Sequence, residues 1–330
     1  RAGKFIKKYK DDKYNVAAMQ LMEKENALYL MQVNKNFRPT EQERDELVRN
    51  PFSKNSMKYG RSVLYGLTDI QSEQITEIKG FTISMTNPHY LAPDQWAYSL
   101  VLEDKNAKDS VDFELKISNG SKTLRAYFPY AKRNSSYLSD PGNIEFYNTG
   151  QPGTLLFTRP YNYSIYQLTP DSATILYNFV LPFENTVPKT FFTKPFSSRN
   201  ELREYKQINP GYVWRINGLV PVNNYLFFFL DYQKRDRRFI FDRNSNRFYN
   251  INRISPDSSN AYLPVMGWSI QHFDKTALYS SISSDAMFRS KETEQHRNPV
   301  YTPLVKEYFE KSKPTSNPVI IILKPSSKIK

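Results

Sequence analysis

Thr154-Leu155-Leu156-Phe157-Thr158, Ser164-Ile165-Tyr166-Gln167-Leu168 and Thr174-Ile175-Leu176-Tyr177-Asn178-Phe179-Val180-Leu181 are three short apolar and aromatic runs with turn-forming residues between them. Each is too short for a helix, and its flat or β-branched side chains suit a pleated surface, so the stretch predicts three antiparallel strands. It has a weak echo. Leu155-Leu156-Phe157, Ile165-Tyr166 and Tyr177-Asn178-Phe179 resemble Phe227-Phe228-Phe229, Ile240-Phe241 and Tyr249-Asn250-Ile251 in type and order. A unit of this size matches a propeller blade lacking its fourth strand.

Outward from that stretch the pattern repeats. Val111, Phe113, Leu115 and Ile117 alternate with Asp112, Glu114, Lys116 and Ser118, the signature of a strand with one dry and one wet face. Similar runs fall at 27–33, 62–70, 81–85, 98–103, 123–128, 144–147, 225–232, 238–241, 248–251, 277–282 and 319–323. Strands at this spacing, without regularly alternating helices, predict antiparallel meanders rather than βαβ units. Helical insertions are expected near 39–50, 186–210 and 302–313. Thr40 with Glu43 and Ser198 with Glu201 form capping-box patterns, and Thr302-Pro303 opens the third helix. The fold expected is therefore all-β, a β-propeller of about five to six blades. It spans residues 1–330 as one domain and lacks some N-terminal strands. Val319–Leu323, an apolar run near the chain end, is expected as a buried strand paired with strands from elsewhere.

Aromatics form 15% of the chain, with 24 Tyr and 22 Phe, enough to build a core. Cysteine is absent, which excludes disulfides, thiolate metal sites and cysteine nucleophiles. The formal net charge of +13 invites anionic partners, but the cations are scattered apart from Lys4, Lys7, Lys8, Lys10 and Lys13, and from Lys234, Arg235, Arg237 and Arg238, where Asp236 interrupts. They read as a solvated basic surface, so nucleic acid is not the expected partner.

The stretch 156–166, then Ile175-Leu176-Tyr177-Asn178-Phe179, resembles the late-blade pattern of the six-bladed β-propeller lipoprotein family exported by Bacteroidetes-type bacteria. Asn317-Pro318-Val319-Ile320-Ile321-Ile322-Leu323-Lys324 is similar to that family's closing strand, and Gly3-Lys4-Phe5-Ile6 to one of its strand starts. The resemblance implies a lipoprotein signal removed ahead of Arg1, a periplasmic or cell-surface location, membrane attachment only through that anchor, and no established activity. The chain departs from the family pattern in lacking a Gly-Pro-Gly-Glu turn in its first part.

No nucleophile elbow, phosphate loop or zinc-helix motif is present, and His89, His272 and His296 lie far apart, so no catalytic residue, metal site or cofactor is expected. Asp242-Arg243-Asn244-Ser245-Asn246 imitates a calcium loop but has Arg247 where the loop needs glycine, and reads as a hairpin turn. Aromatic side chains beside polar turns remain the pointer to recognition: Arg159, Tyr161 and Tyr163 in one group, Trp268 with His272 in another. The function expected is non-enzymatic binding of a carbohydrate, a peptide or an envelope protein. The alternatives are a glycan-acting hydrolase or lyase on the same scaffold, and a basic nucleic-acid-binding protein.

Overall fold

The computed structural model describes residues 12–22, 26–43, 58–66, 75–78, 86–99, 101, 110–119, 122–132, 135–138, 144–232, 237–266, 270–274 and 276–325. The runs expected at 3–6 and 81–85, the cations from Lys4 to Lys10, Lys234, Arg235, Asp236 and Trp268 lie outside the described residues. The chain divides into two compact units, Arg1–Ile216 and Asn217–Lys330. The fold is all-β, and each sheet is a meander of consecutive antiparallel strands.

In the first unit, β1 (Tyr14–Met22), β2 (Ala27–Asn34), β3 (Gly60–Gly66) and β4 (Ile75–Ile78) form one sheet. A second contains β5 (Thr86–Ala92), β6 (Gln95–Ser99), β7 (Val111–Ser118) and β8 (Thr123–Ala131). The third joins β9 (Glu145–Asn148), β10 (Leu155–Thr158), β11 (Ser164–Leu168) and β12 (Ala173–Asn178). Leu115 and Ile117 of β7 turn inward as their alternation predicts and pack with Ile144, Leu155, Phe157 and Leu168, all buried. Phe157 and Tyr166, opposite each other across β10 and β11, stack with centroids 4.8 Å apart.

The segment after β12 leaves the sheet as expected. Two 3-10 turns, Phe183–Asn185 and Lys189–Thr193, lead to helix α1 (Arg199–Ile208). Ser198 Oγ caps α1 by accepting the Glu201 amide, but Glu201 returns its carboxylate to the amide and hydroxyl of Ser197. The reciprocal pair is thus displaced by one residue from the predicted box. At Thr40 and Glu43 both halves of the box form, ahead of a helical turn at 41–43, and the rest of that expected helix lies outside the described residues.

The second unit begins inside β13 (Arg215–Val222), which pairs with β14 (Tyr225–Asp231), followed by β15 (Arg238–Asp242) and β16 (Arg247–Asn250). The remaining sheet joins β17 (Ile270–Phe273), β18 (Leu278–Ile282) and β19 (Val319–Leu323), with helices α2 (Ser284–Glu294) and α3 (Pro303–Lys311) in the connection between β18 and β19. Helix α3 starts at Thr302 as predicted, whereas α2 carries only a Ser283 cap and no sequence box, and was not expected.

Two expectations need correction. Val319–Leu323 pairs with β18 as a strand, but among the described residues it is an edge, and Ile320 and Ile322 are 71% and 55% exposed rather than buried. The echo is real, yet the strand it lacked in each copy is the first, β9 or β13, not the fourth. Its register also slips. Ile165 pairs with Tyr177 as Ile240 pairs with Tyr249, which makes Thr158, the partner of Ile165, equivalent to Phe227, the partner of Ile240. Phe157 therefore corresponds to Leu226, three residues from the position that sequence similarity alone assigns.

Candidate functional site

The first predicted group is placed around the end of β10, and every polar contact seen there is internal. The Arg159 guanidinium meets the buried Glu114 carboxylate through Nη2–Oε1 at 2.5 Å and Nε–Oε2 at 3.3 Å. Its flat face lies 4.0 Å from the centroid of Phe128. Burial alone would lower the guanidinium pKa, but hydrogen bonding and charge from Glu114 outweigh it and raise the pKa. Tyr161, in a left-handed conformation with φ 57°, donates its hydroxyl to the Tyr137 carbonyl at 2.7 Å. Its ring joins Phe191, Phe196 and Trp214 in an aromatic cluster beneath the excursion that contains α1. Tyr163 Oη donates to the Val213 carbonyl at 3.0 Å and accepts the Val187 amide at 2.8 Å, and burial pushes its pKa up.

In the second group His272 is exposed on β17, its ring 5.4 Å from Tyr279, the residue opposite it on β18. Tyr279 donates to Asp274 at 2.8 Å, and Asp274 also accepts the amides of Thr276 and Ala277. Those bonds, the Thr276 amide foremost, hold the Asp274 carboxyl well below its usual range and lock the β17–β18 turn. Asp242 likewise accepts from the Ser245 hydroxyl and Asn244 amide, the hairpin turn predicted in place of a calcium loop. Among the described residues, no three His, Asp or Glu side chains gather as a metal-binding group.

Sequence reasoning missed a cavity of about 490 Å³ in the second unit. One wall is a face of β14 and β15, where Tyr225, Phe227 and Ile240 share the inward side. The opposite wall is Leu278 of β18 and Leu323 of β19. The 251–266 connection closes the side with Ile251, Ile254 and Met266. Ile254 is 46% exposed and Lys324 is exposed, so the lining reaches solvent. Arg238, read from sequence as part of a solvated cluster, lines this cavity and donates from Nη2 to Asn252 Oδ1 at 3.0 Å. Lys324 is a second cation in the lining, which among the described residues contains no carboxylate. A mostly apolar concavity of this volume with a few convergent polar groups has the form of a small-molecule site.

No family model matches the chain, and no curated protein matches it significantly. Among solved structures, the chain is similar to a protein of Bacteroides fragilis NCTC 9343 predicted to be exported. Their TM-score is 0.53 at 13% identity, over 94% of this chain and 77% of that one. A likeness at that identity speaks for the fold alone. A mutant of puromycin hydrolase complexed with PGG aligns at a TM-score of 0.35 and 12% identity, over 82% of this chain and 34% of that one, which is too low to bear on function. No helix among the described residues is long and apolar enough to cross a membrane.

Proposed function

We propose that the protein is a non-catalytic binding protein of the cell envelope, that the five sheets among its described residues are successive blades of one β-propeller, and that the cavity of its second unit holds a small, largely apolar ligand. The observation that carries the binding reading is the 490 Å³ cavity walled by Phe227, Ile240, Leu278 and Leu323. Its mostly aliphatic and aromatic surface favours an apolar body over a sugar, because its few polar groups cannot satisfy the many hydroxyls of a sugar stripped of water. The propeller reading rests on five meandering sheets of three or four strands, each completed before the next begins. Export rests on the resemblance of the late strands and on the similar Bacteroides fragilis protein.

Titration of the purified protein with dodecanol, followed by calorimetry and thermal melting, tests the binding reading. Saturable binding at one site is expected, with a stabilisation of about 2.7 kcal/mol when the probe stands at a hundred times its Kd. Met266→Trp, which puts an indole into the lining, is expected to abolish it while leaving the fold intact. Absence of saturable binding, or binding unaffected by that substitution, overturns the reading. The propeller reading fails if a crystal structure shows the five sheets arranged otherwise than around a common axis.

A further inference from the structure

We propose that β19 is an acceptor edge for an extended apolar segment of a partner protein, flanked by acidic residues, which joins the last sheet as its fourth strand. The proposal goes beyond the cavity reading and does not depend on it, because Ile320 and Ile322 lie outside the cavity lining. Among the described residues the last sheet has three strands where every other sheet has four, and β19 pairs with β18 alone. The backbone groups of β19 that turn away from β18 are therefore open to a further strand, the arrangement by which extended peptides join sheet edges. Register sets Ile322 opposite Tyr279, which stands opposite His272, and sets Ile320 opposite Ser281. These side chains share the outer face of the sheet, and the exposed Ile320 and Ile322 form its apolar border. Pro318 and Pro325 bracket the strand, so the edge offers pairing over the five residues of β19.

Charge decides the occupant. From Lys311 to Pro325 the chain carries Lys311, Lys313 and Lys324 and no Asp or Glu. Lys311 is paired with Glu307 at 2.8 Å, whereas Lys313 and Lys324, before and after the strand, are exposed. Carboxylates beyond the two ends of β18 are engaged within the protein. Asp274 accepts from the amides of Thr276 and Ala277 and from the Tyr279 hydroxyl, and Asp285 pairs with Arg289 at 2.5 Å. A second copy would set a lysine-flanked edge against its like, on a chain of net charge +13. A segment with carboxylates on either side of its apolar run meets opposite charge instead. Lysines and prolines beside an edge discourage pairing with a like copy, and the same lysines select an acidic partner.

The test uses blocked synthetic peptides with one core and different ends: Glu-Glu-Val-Thr-Val-Thr-Val-Glu-Glu, and the same core between pairs of lysines. The glutamate peptide is expected to bind at one site and at least about tenfold more tightly than the lysine peptide at low salt, a gap that narrows as salt is added. Methylating the amide nitrogens of its core should abolish binding, since strand addition runs through main-chain hydrogen bonds. With the peptide bound, amide hydrogen exchange should slow within residues 319–323. The double variant Ile320→Thr, Ile322→Thr keeps β-branched side chains but strips the apolar border, and should weaken the peptide at least about tenfold at an unchanged melting temperature. Ile320→Glu, Ile322→Glu should instead favour the lysine peptide. Equal affinity for the two peptides, binding that survives N-methylation or the threonine variant, protection only outside 319–323, a dimer through β19 that excludes the peptide, or no binding at all overturns the inference. None of these outcomes bears on the cavity reading, which dodecanol tests separately.

Discussion

Two pairs of facing sheets in this molecule solve the same packing problem differently. Between the second and third sheets of the first unit, Phe128, Phe146, Phe157 and Tyr166 fill the space with rings, Phe128 standing 5.1 Å from Tyr166 and 5.8 Å from Phe157. Between the last two sheets, the facing side chains at β18 and β19 are Leu278 and Leu323, and the 490 Å³ cavity remains. Among the described residues the last sheet has three strands where the others have four, and the β11–β12 ladder shifts between Ile165 and Tyr166 where β15–β16 runs without a shift. The side chains differ as well. Phe128 reaches the first gap from a left-handed backbone position, φ 60°, and Arg159 then covers it while paired to Glu114. An open space is therefore a property of the strands and residues of the second pair, which is what makes it a candidate site.

The comparison is broken most severely from the filled side. Phe157→Ala removes a fully buried ring and is expected to cost about 3–5 kcal/mol, read as a lower denaturation midpoint in urea with an unchanged slope. Glu114→Gln comes next, at about 2–3 kcal/mol, because it leaves the Arg159 charge partly buried without its partner. If that loss is electrostatic, the double variant Glu114→Gln, Arg159→Met should recover part of it. Tyr163→Phe, which leaves the Val187 amide and Val213 carbonyl without the phenol, is expected to cost about 1–2 kcal/mol. On the open side, Leu323→Phe should change stability by less than about 1.5 kcal/mol in either direction, since the added volume enters existing space, while weakening dodecanol binding.

Alkaline pH sharpens the contrast further. Burial raises the pKa of Tyr98, Tyr137 and Tyr163 above their ordinary value near 10. A phenol whose native pKa is raised contributes stability that is complete below its unfolded pKa and is lost as pH climbs through the native value. Melting temperatures measured upward from about pH 10 should fall, and Tyr163→Phe should reduce the slope of that fall.

Much of the strand plan was legible because alternation and turn chemistry are local. The runs at 155–158, 164–168, 225–231 and 319–323 all form strands, and Thr302-Pro303 starts a helix. The missed strands have physical excuses. In β13, Gly218 and Pro221 read as loop residues, yet Gly218 has φ 63° and the Phe229 ring lies where its Cβ would stand, so the strand needs the glycine. In β5, Asn87-Pro88 reads as a break, and the ladder does shift there, between Thr86 and His89. The cavity was invisible for a different reason. Phe227, Ile240 and Leu278 are indistinguishable in sequence from core residues, and only their three-dimensional arrangement shows that their surfaces enclose a space. Arg159, Tyr161 and Tyr163 stood out by type beside a turn, but a sequence does not show that Glu114, 45 positions away, holds the arginine.

The exposed edge at β19 has a colloidal consequence. Ile320 and Ile322 point outward from a strand that has a partner on one side only among the described residues, a surface prone to join another copy of itself. A net charge of +13 sets copies of the chain against each other at long range, and that repulsion decays over about 10 Å at 0.1 M salt and about 3 Å at 1 M. Self-association should therefore grow as salt is added, the reverse of an assembly held by ion pairs, and light scattering across a salt series with Ile320→Lys as the control would register it. The basic surface then serves the protein as a spacer that keeps an adhesive edge from finding its twin.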